Sequence, residues 1–519
     1  LRVDPLPPGS NVLLLILEGV SGAYLPTIAA SHGFEGSIRM PELDAVAARG
    51  LAWSSFVVQQ RQTNRGEYAL LCGDYPKLRT AEPKMTELAG EAGLDCLPSV
   101  LSDAGYAAVY LQAAPMAFML KDQFMPAAGF HRSLGATALD RAYHRNAWGI
   151  DDRAFFEHSL GVIDELEAGA DPWFLTLLTV GTHHPFNAPP DFESRYETGS
   201  AGWAMDYLDR AVGEFVRGLD ERGVLDDTLV VMVSDESRET VAGAGDVGNS
   251  LLQAWGVAIV LHPGTDRGVV RQPGMQLDVP ITVVDALGLG ASGFGGRSLL
   301  RAYPDSRDLL WGNAYLATVG GLSAAGQLAI CAESMAVCAA ADGVESPFEG
   351  GVELRPVDPE AVGWLAQGVE KSLATYLPEA AERSLPLLEP GLVRIAPDAA
   401  EQFLFGGQFF SMASGSRADV DLVVTLEGAL GGLTYHHDFI VGRRQEYVRS
   451  GRLEVGQTLT LRYSVRAGYS LDQLESRFWV DGIGGTDLAL RFIESRVQVR
   501  PGAAGTAGGG IEERQHLVE

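Results

Sequence analysis

The chain has 519 residues, 46% hydrophobic and 20% charged, which is enough apolar material for a large core and more than one domain. Lysine and arginine number 39 against 67 aspartates and glutamates, and the net charge of −28 argues against nucleic-acid binding and against electrostatic docking on anionic lipid. No uninterrupted apolar stretch approaches the roughly 20 residues that span a bilayer.

The chain opens with Leu1 and the linker-like Asp4-Pro5-Leu6-Pro7-Pro8-Gly9-Ser10, expected of a mature chain or excised domain with any signal peptide or membrane anchor lying outside it. Residues 11–302 alternate short apolar runs with longer amphipathic segments, the pattern of a mostly parallel sheet flanked by helices. Strands are predicted over residues 12–17, 107–111, 173–180, 229–233 and 256–261, and helices over 40–49, 97–104, 151–168 and 201–222. Residues 303–390 read as an α+β extension with short strands and a helix over 358–377, and residues 391–501 alternate with period 2 between Gly and Asp turns, the signature of a smaller antiparallel β-sandwich. Residues 502–519, Gly/Ala-rich and then polar, are expected to form a mobile tail. The cysteines fall into two locally spaced pairs, Cys72 with Cys96 and Cys331 with Cys338, for which two disulfides of an exported protein are the better reading and free buried thiols the alternative.

Four stretches of the first region carry chemistry. The run Val-Val-Met-Val-Ser-Asp-Glu over residues 230–236 stops at Asp235 and Glu236, and Leu17-Glu18-Gly19 likewise puts a carboxylate at a strand's carboxyl end, where α/β sheets collect ligands. Gln62-Thr63-Asn-Arg65-Gly66-Glu67 places a hydroxyl at a helix start, where free N–H groups favour anions. Thr182-His183-His184-Pro185-Phe186 ends another strand. Singly, each has an ordinary reading as a cap or loop. Together, Glu18, Thr63, Asp235 and Glu236 supply an oxygen-only set for a hard divalent cation such as Mn²⁺, Mg²⁺ or Ca²⁺. Such an ion would activate Thr63 as a nucleophile, with Arg65, His183 or His184 holding phosphate oxygens or protonating a leaving group.

The order of these motifs, continued by Leu97-Pro-Ser-Val-Leu-Ser-Asp-Ala-Gly-Tyr106, Trp148-Gly-Ile-Asp-Asp152, Tyr207-Leu-Asp209 and Asp278-Val-Pro-Ile-Thr282, resembles the sulfatase-like branch of the alkaline-phosphatase superfamily that holds lipoteichoic acid synthases and phosphoglycerol transferases. The resemblance covers residues 10–302. It implies an alkaline-phosphatase-like fold, Thr63 as the catalytic, metal-bound threonine carrying a phosphoglycerol intermediate, Glu18 and Asp235 as further ligands, and His183 on the substrate phosphate. It also implies a phospholipid donor such as phosphatidylglycerol, a glycan or polymer acceptor, and a periplasmic or extracellular site near a membrane.

Two departures stand out. The family's Asp-His is Asp235-Glu236 here, exchanging a nitrogen ligand for an anionic oxygen. Its polar segment with His, Trp and Arg is here Gln112-Ala-Ala-Pro-Met-Ala-Phe-Met-Leu-Lys121, leaving Lys121 to replace the arginine's charge. The competing readings are a phosphodiesterase, phosphatase or sulfatase-like hydrolase using the same site, and a degenerate member whose sandwich binds glycan through aromatics such as Tyr435 and Trp479 beside His436-His437. Sulfate hydrolysis ranks below phosphoryl transfer, because Cys72-Gly-Asp-Tyr-Pro76 lacks the spacing and the arginine of a formylglycine motif.

Overall fold

The computed structural model describes residues 5–79, 96–239, 245–261, 263–264, 267–290, 293–373, 383–386, 391–396, 401–412, 417–441, 444–466, 471–500 and 510–519. An eight-stranded sheet organises the first region. Its order is Gly268–Val270, Leu51–Trp53, Ala258–Leu261, Thr228–Ser234, Asn11–Leu17, Trp173–Leu178, Ala107–Gln112 and Arg132–Leu134. The last five strands run parallel, whereas Ala258–Leu261 is antiparallel to both of its neighbours.

The central strands, NVLLLIL and TLVVMVS, are buried at every position, so neither face can meet water and both must be covered by helices. Alternate residues feed two cores. Leu13, Leu15 and Leu17 pack with Phe155, Leu208 and Phe215 of helices Asp152–Glu167 and Ala201–Glu221. Val12, Leu14 and Ile16 pack with Leu70, Leu101 and Val283 of helices Thr63–Cys72, Leu97–Asp103 and Asp278–Ala286. Asp151 and Ser200 cap the two long helices by accepting from the Ala154 and Trp203 N–H groups. Register pairs Leu17 with Ser234 and Ile16 with Leu178, so neighbouring strands stop at one edge of the sheet.

A five-stranded antiparallel sheet follows in sequence order, Leu309–Asn313, Thr318–Leu322, Leu328–Ala332, Cys338–Ala341 and Arg355–Val357, and then helix Gly363–Leu373. The predicted helix over 358–377 is in fact a short 3-10 turn, Pro359–Val362, running into Gly363–Leu373; its last residues lie outside the described ones. Cys331 and Cys338 face each other across two strands and are bonded, as are Cys72, at the end of the Thr63 helix, and Cys96.

The C-terminal region builds a six-stranded and a four-stranded antiparallel sheet around one core, with Val420, Leu461 and Leu490 from one sheet and Tyr435, Phe478 and Val480 from the other. The expectation of a mobile tail over 502–519 does not hold for Gly510–Val518, which forms an edge strand on Thr458–Arg466. Glu513 and Gln515 are half-buried between the exposed Glu512, Arg514 and His516, the alternation of an edge strand, and its polar composition had concealed it. His436 and His437 face opposite sides. His437 is buried against Tyr463, while His436 stacks on Trp479 and pairs with Asp481. Among the described residues, no helix is long and apolar enough to cross a membrane.

Candidate active site

Glu18, Thr179 and Asp235 follow three adjacent parallel strands directly, so the sheet delivers them to one edge. Their loops are stitched together. The Glu18 N–H donates to Thr179 Oγ1 at 3.0 Å, Thr182 Oγ1 donates to the Glu18 carbonyl at 2.5 Å, and the Gly19 N–H donates to Asp235 Oδ1 at 2.9 Å. Helix Thr63–Cys72 starts against this edge. A Cβ on Gly66 would lie 2.1 Å from the Asp235 carbonyl oxygen, so the lack of a side chain is what allows the helix this close. Thr63, the first helical residue, donates its hydroxyl to Glu18 Oε2 at 3.1 Å.

The charges are unevenly satisfied. Asp235 Oδ1 also accepts the Glu236 N–H at 2.7 Å, while its Oδ2 is buried with no hydrogen-bond partner. Burial, with Glu18 and Glu236 adding like-charge repulsion, pushes the Asp235 carboxyl well above the usual carboxylate range. Arg238 answers part of this negative charge: Nη2 donates to Glu18 Oε1 at 2.7 Å and Nε to Glu236 Oε1 at 2.9 Å. Gly19, at φ +68, leaves room for it, since a Cβ there would sit 2.7 Å from Arg238 Nε.

Among the described residues, no group of three or more His, Cys, Asp or Glu side chains is arranged as a ready chelate. The donor chemistry nevertheless fits a hard divalent ion. Asp235 Oδ2 is orphaned, Glu18 and Thr63 are hard oxygen donors bonded to one another, and three carboxylates stand against one guanidinium.

The remaining residues singled out in the sequence separate. His183 is half-buried and stacked on Trp148 with ring centres 3.8 Å apart, and Trp148 in turn meets Phe118 from the apolar segment that replaces the family's polar one. The His183 Nδ1 lies 2.7 Å from the His184 carbonyl, so Nδ1 carries the proton and Nε2 the lone pair. Desolvation, helped by Arg238, lowers this imidazole to about 3. His184 itself is exposed.

Arg65 is buried and spends its guanidinium on the carbonyls of Lys77 and Arg79. Lys121, 2% exposed, forms an ion pair with Glu67 Oε2 at 2.7 Å and donates to Gln112 Oε1 at 3.1 Å, with Tyr110 donating to the other Glu67 oxygen. Both cations are therefore committed inside the fold. Sequence reasoning passed over Arg238, although it stands two residues after Glu236; an arginine that close to a carboxylate strand end was the available signal. It also gave no weight to Thr179 and Thr182, whose role is to lock the Glu18 backbone.

A hydroxyl and carboxylates gathered at the carboxyl edge of an α/β sheet stand where such sheets bind their ligands. The chain belongs to the sulfatase family, whose pattern matches residues 10–289. It is 29% identical over 317 residues to phosphoglycerol transferase I of Xanthomonas campestris pv. campestris (strain B100), covering 57% of this chain and 43% of that protein. It is 24% identical over 302 residues to lipoteichoic acid synthase 1 of Bacillus subtilis (strain 168), covering 54% and 46% respectively. The chain thus spans less than half the length of either relative. Its fold is shared with a protein of the alkaline phosphatase superfamily from Vibrio parahaemolyticus, at TM-score 0.60 and 18% identity over 72% of this chain and 92% of that one. The lipoteichoic acid synthase LtaP from Listeria monocytogenes has the same fold, at TM-score 0.51 and 16% identity over 70% and 93%.

Proposed function

We propose that this chain is the extracytoplasmic catalytic part of a divalent-metal-dependent transferase that moves a phosphoglycerol-type group from a phospholipid to a glycan or polymer through a Thr63-linked intermediate. The observation that carries this reading is the Thr63 hydroxyl at a helix N-terminus, hydrogen-bonded to Glu18 at 3.1 Å beside the partnerless oxygen of Asp235. The names of the relatives support the transferred group, and phosphatidylglycerol is the donor chosen for the test.

Glu18, Asp235 and Thr63 would hold the cation, which, when bound, supplies positive charge that acidifies the threonine hydroxyl and offsets charge on the phosphoryl group. In the first transfer, Thr63 Oγ1 bonds to phosphorus and the bond from phosphorus to the diacylglycerol oxygen breaks. Glu18 Oε2, already the acceptor of the Thr63 hydrogen bond, is placed to take the hydroxyl proton, which is then passed on to the departing diacylglycerol oxygen. In the second, an acceptor hydroxyl bonds to phosphorus, the bond to Oγ1 breaks and Thr63 is reprotonated. His183, neutral with its lone pair on Nε2, suits accepting a hydrogen bond that orients the acceptor hydroxyl rather than holding its proton, which passes to the departing Thr63 oxygen.

The test is transfer of labelled headgroup from phosphatidylglycerol vesicles, with Mn²⁺ present and absent, followed by intact-mass analysis. The expected result is a phosphoglycerol adduct on Thr63 and a loss of at least about a thousandfold in turnover for Thr63→Ala. Release of glycerol phosphate to water with no transfer to any hydroxyl acceptor would identify a hydrolase instead. Turnover that survives Thr63→Ala removes the nucleophile assignment.

A further inference from the structure

A transferring phosphoryl group needs a cation on its non-bridging oxygens, and the two candidates named from sequence, Arg65 and Lys121, are sealed into the fold by other partners. Arg238 differs from both. Two charge-assisted bonds, to Glu236 and Glu18, fix its guanidinium plane, and no rotamer search is left for the side chain to make. Its Nη1 meets no partner among the described residues, and 19% of the side chain is exposed. Glu18 takes Arg238 on one oxygen and the Thr63 hydroxyl on the other, so a single carboxylate sets the guanidinium and the nucleophile relative to each other. Gly19 contributes by having no Cβ where Arg238 passes.

We infer that Arg238 grips the non-bridging phosphoryl oxygens through its free Nη1 edge, and that Glu236 is its positioning residue rather than a metal ligand. The inference rests on the phosphoryl-transfer reading above. It explains the family departure at Glu236: a carboxylate there buttresses a guanidinium, which an imidazole could not do as a charged acceptor. Formal charges agree. With all three carboxylates ionised, which a bound cation would require of Asp235, the set of Glu18, Asp235 and Glu236 with Arg238 leaves two negative charges for a divalent cation to balance.

The experiment is calorimetric titration of inorganic phosphate into the full chain held with saturating Mn²⁺, with Mn²⁺ affinity measured separately for every variant. Arg238→Met is expected to weaken phosphate binding at least about 10-fold, the loss of one charge-assisted hydrogen bond, and Arg238→Lys to recover only part of it. Glu236→Gln should weaken phosphate by a smaller factor while lowering Mn²⁺ affinity by no more than the about 10- to 100-fold that loss of a partner outside the ligand set costs. Arg61→Met is the charge control. Arg61 stands two residues before Thr63, its guanidinium lies over the Tyr315 ring and donates to Gln253, and its loss should change phosphate affinity less than about threefold. Phosphate affinity unchanged in Arg238→Met, or lowered equally in Arg61→Met, overturns the grip. Loss of Mn²⁺ binding in Glu236→Gln overturns the positioning role. A wild-type chain that binds phosphate and Mn²⁺ but fails either comparison leaves the transferase reading standing, whereas one that binds neither removes that reading as well.

Discussion

At the scale of single residues, Arg65 and Lys121 are spent inside the fold, whereas Arg238 keeps one guanidinium edge open among the described residues. The Lys121–Glu67 pair lies one helical turn beyond Thr63 and is closed on both sides by Tyr110 and Gln112. Removing one member of a buried pair leaves the other charge unpaired, which costs about 3 to 5 kcal/mol. Lys121→Met is therefore expected to lower the unfolding free energy by that amount in urea, while the folded fraction keeps its phosphate affinity. A variant of near wild-type stability that no longer binds phosphate would return Lys121 to the substrate. Thr63 and Glu18 were legible in the sequence because a strand end and a helix start each have a residue signature. Which cation stands beside them was not, since Arg65 and Arg238 look alike until their partners are known.

At the scale of elements, the site depends on the seam between the Thr63 helix and the Asp235 loop. Gln276 Nε2 donates to the carbonyls of Ser234 and Asp235 at 2.9 and 2.6 Å, and Gly66 lies against the same backbone. A methyl group at Gly66 has no space, so Gly66→Ala should force the helix away from the loop. The expected cost is about 1 to 3 kcal/mol of stability, with a loss of transfer rate beyond what the unfolded fraction explains. Thermal unfolding alongside turnover of the folded protein checks this, and unchanged turnover would mean that the helix and loop move as separate units. The strands themselves were readable because burial on both faces demands unbroken apolar runs. The edge strand Gly510–Val518 was not, because an edge strand buries only one face and its polar alternate residues resemble a tail.

At the scale of the whole molecule, the sulfatase-family region and the C-terminal sandwich have separate cores, which permits separate responses to pH. His437 is fully buried, and burial lowers its imidazole to about 4 from 6.5. The unfolded chain takes up a proton at this position at higher pH than the folded one, so the contribution is intact above pH 6.5 and is lost as pH falls towards 4. With about 1.4 kcal/mol per pH unit, the sandwich should lose on the order of 3 kcal/mol across that window. Urea unfolding followed by the Trp479 signal at several pH values measures it, and His437→Phe, which keeps the ring beside Tyr463, should flatten the profile. A slope that persists in His437→Phe assigns the effect to other groups.

The sequence by itself determined the family, the order of strands and helices, the two cysteine pairs and the placement of Glu18, Thr63 and Asp235 at strand ends and a helix start. These follow from short-range patterns: apolar runs, turn residues and motifs whose spacing is fixed along the chain. Only the tertiary structure decided how the charges are shared. It closed Arg65 and Lys121 into the interior, set His183 neutral against Trp148, and brought Arg238 between Glu18 and Glu236. The physical reason is that a side chain's charge has meaning only through its partners and its exposure to water, and those are set by contacts between residues far apart in sequence.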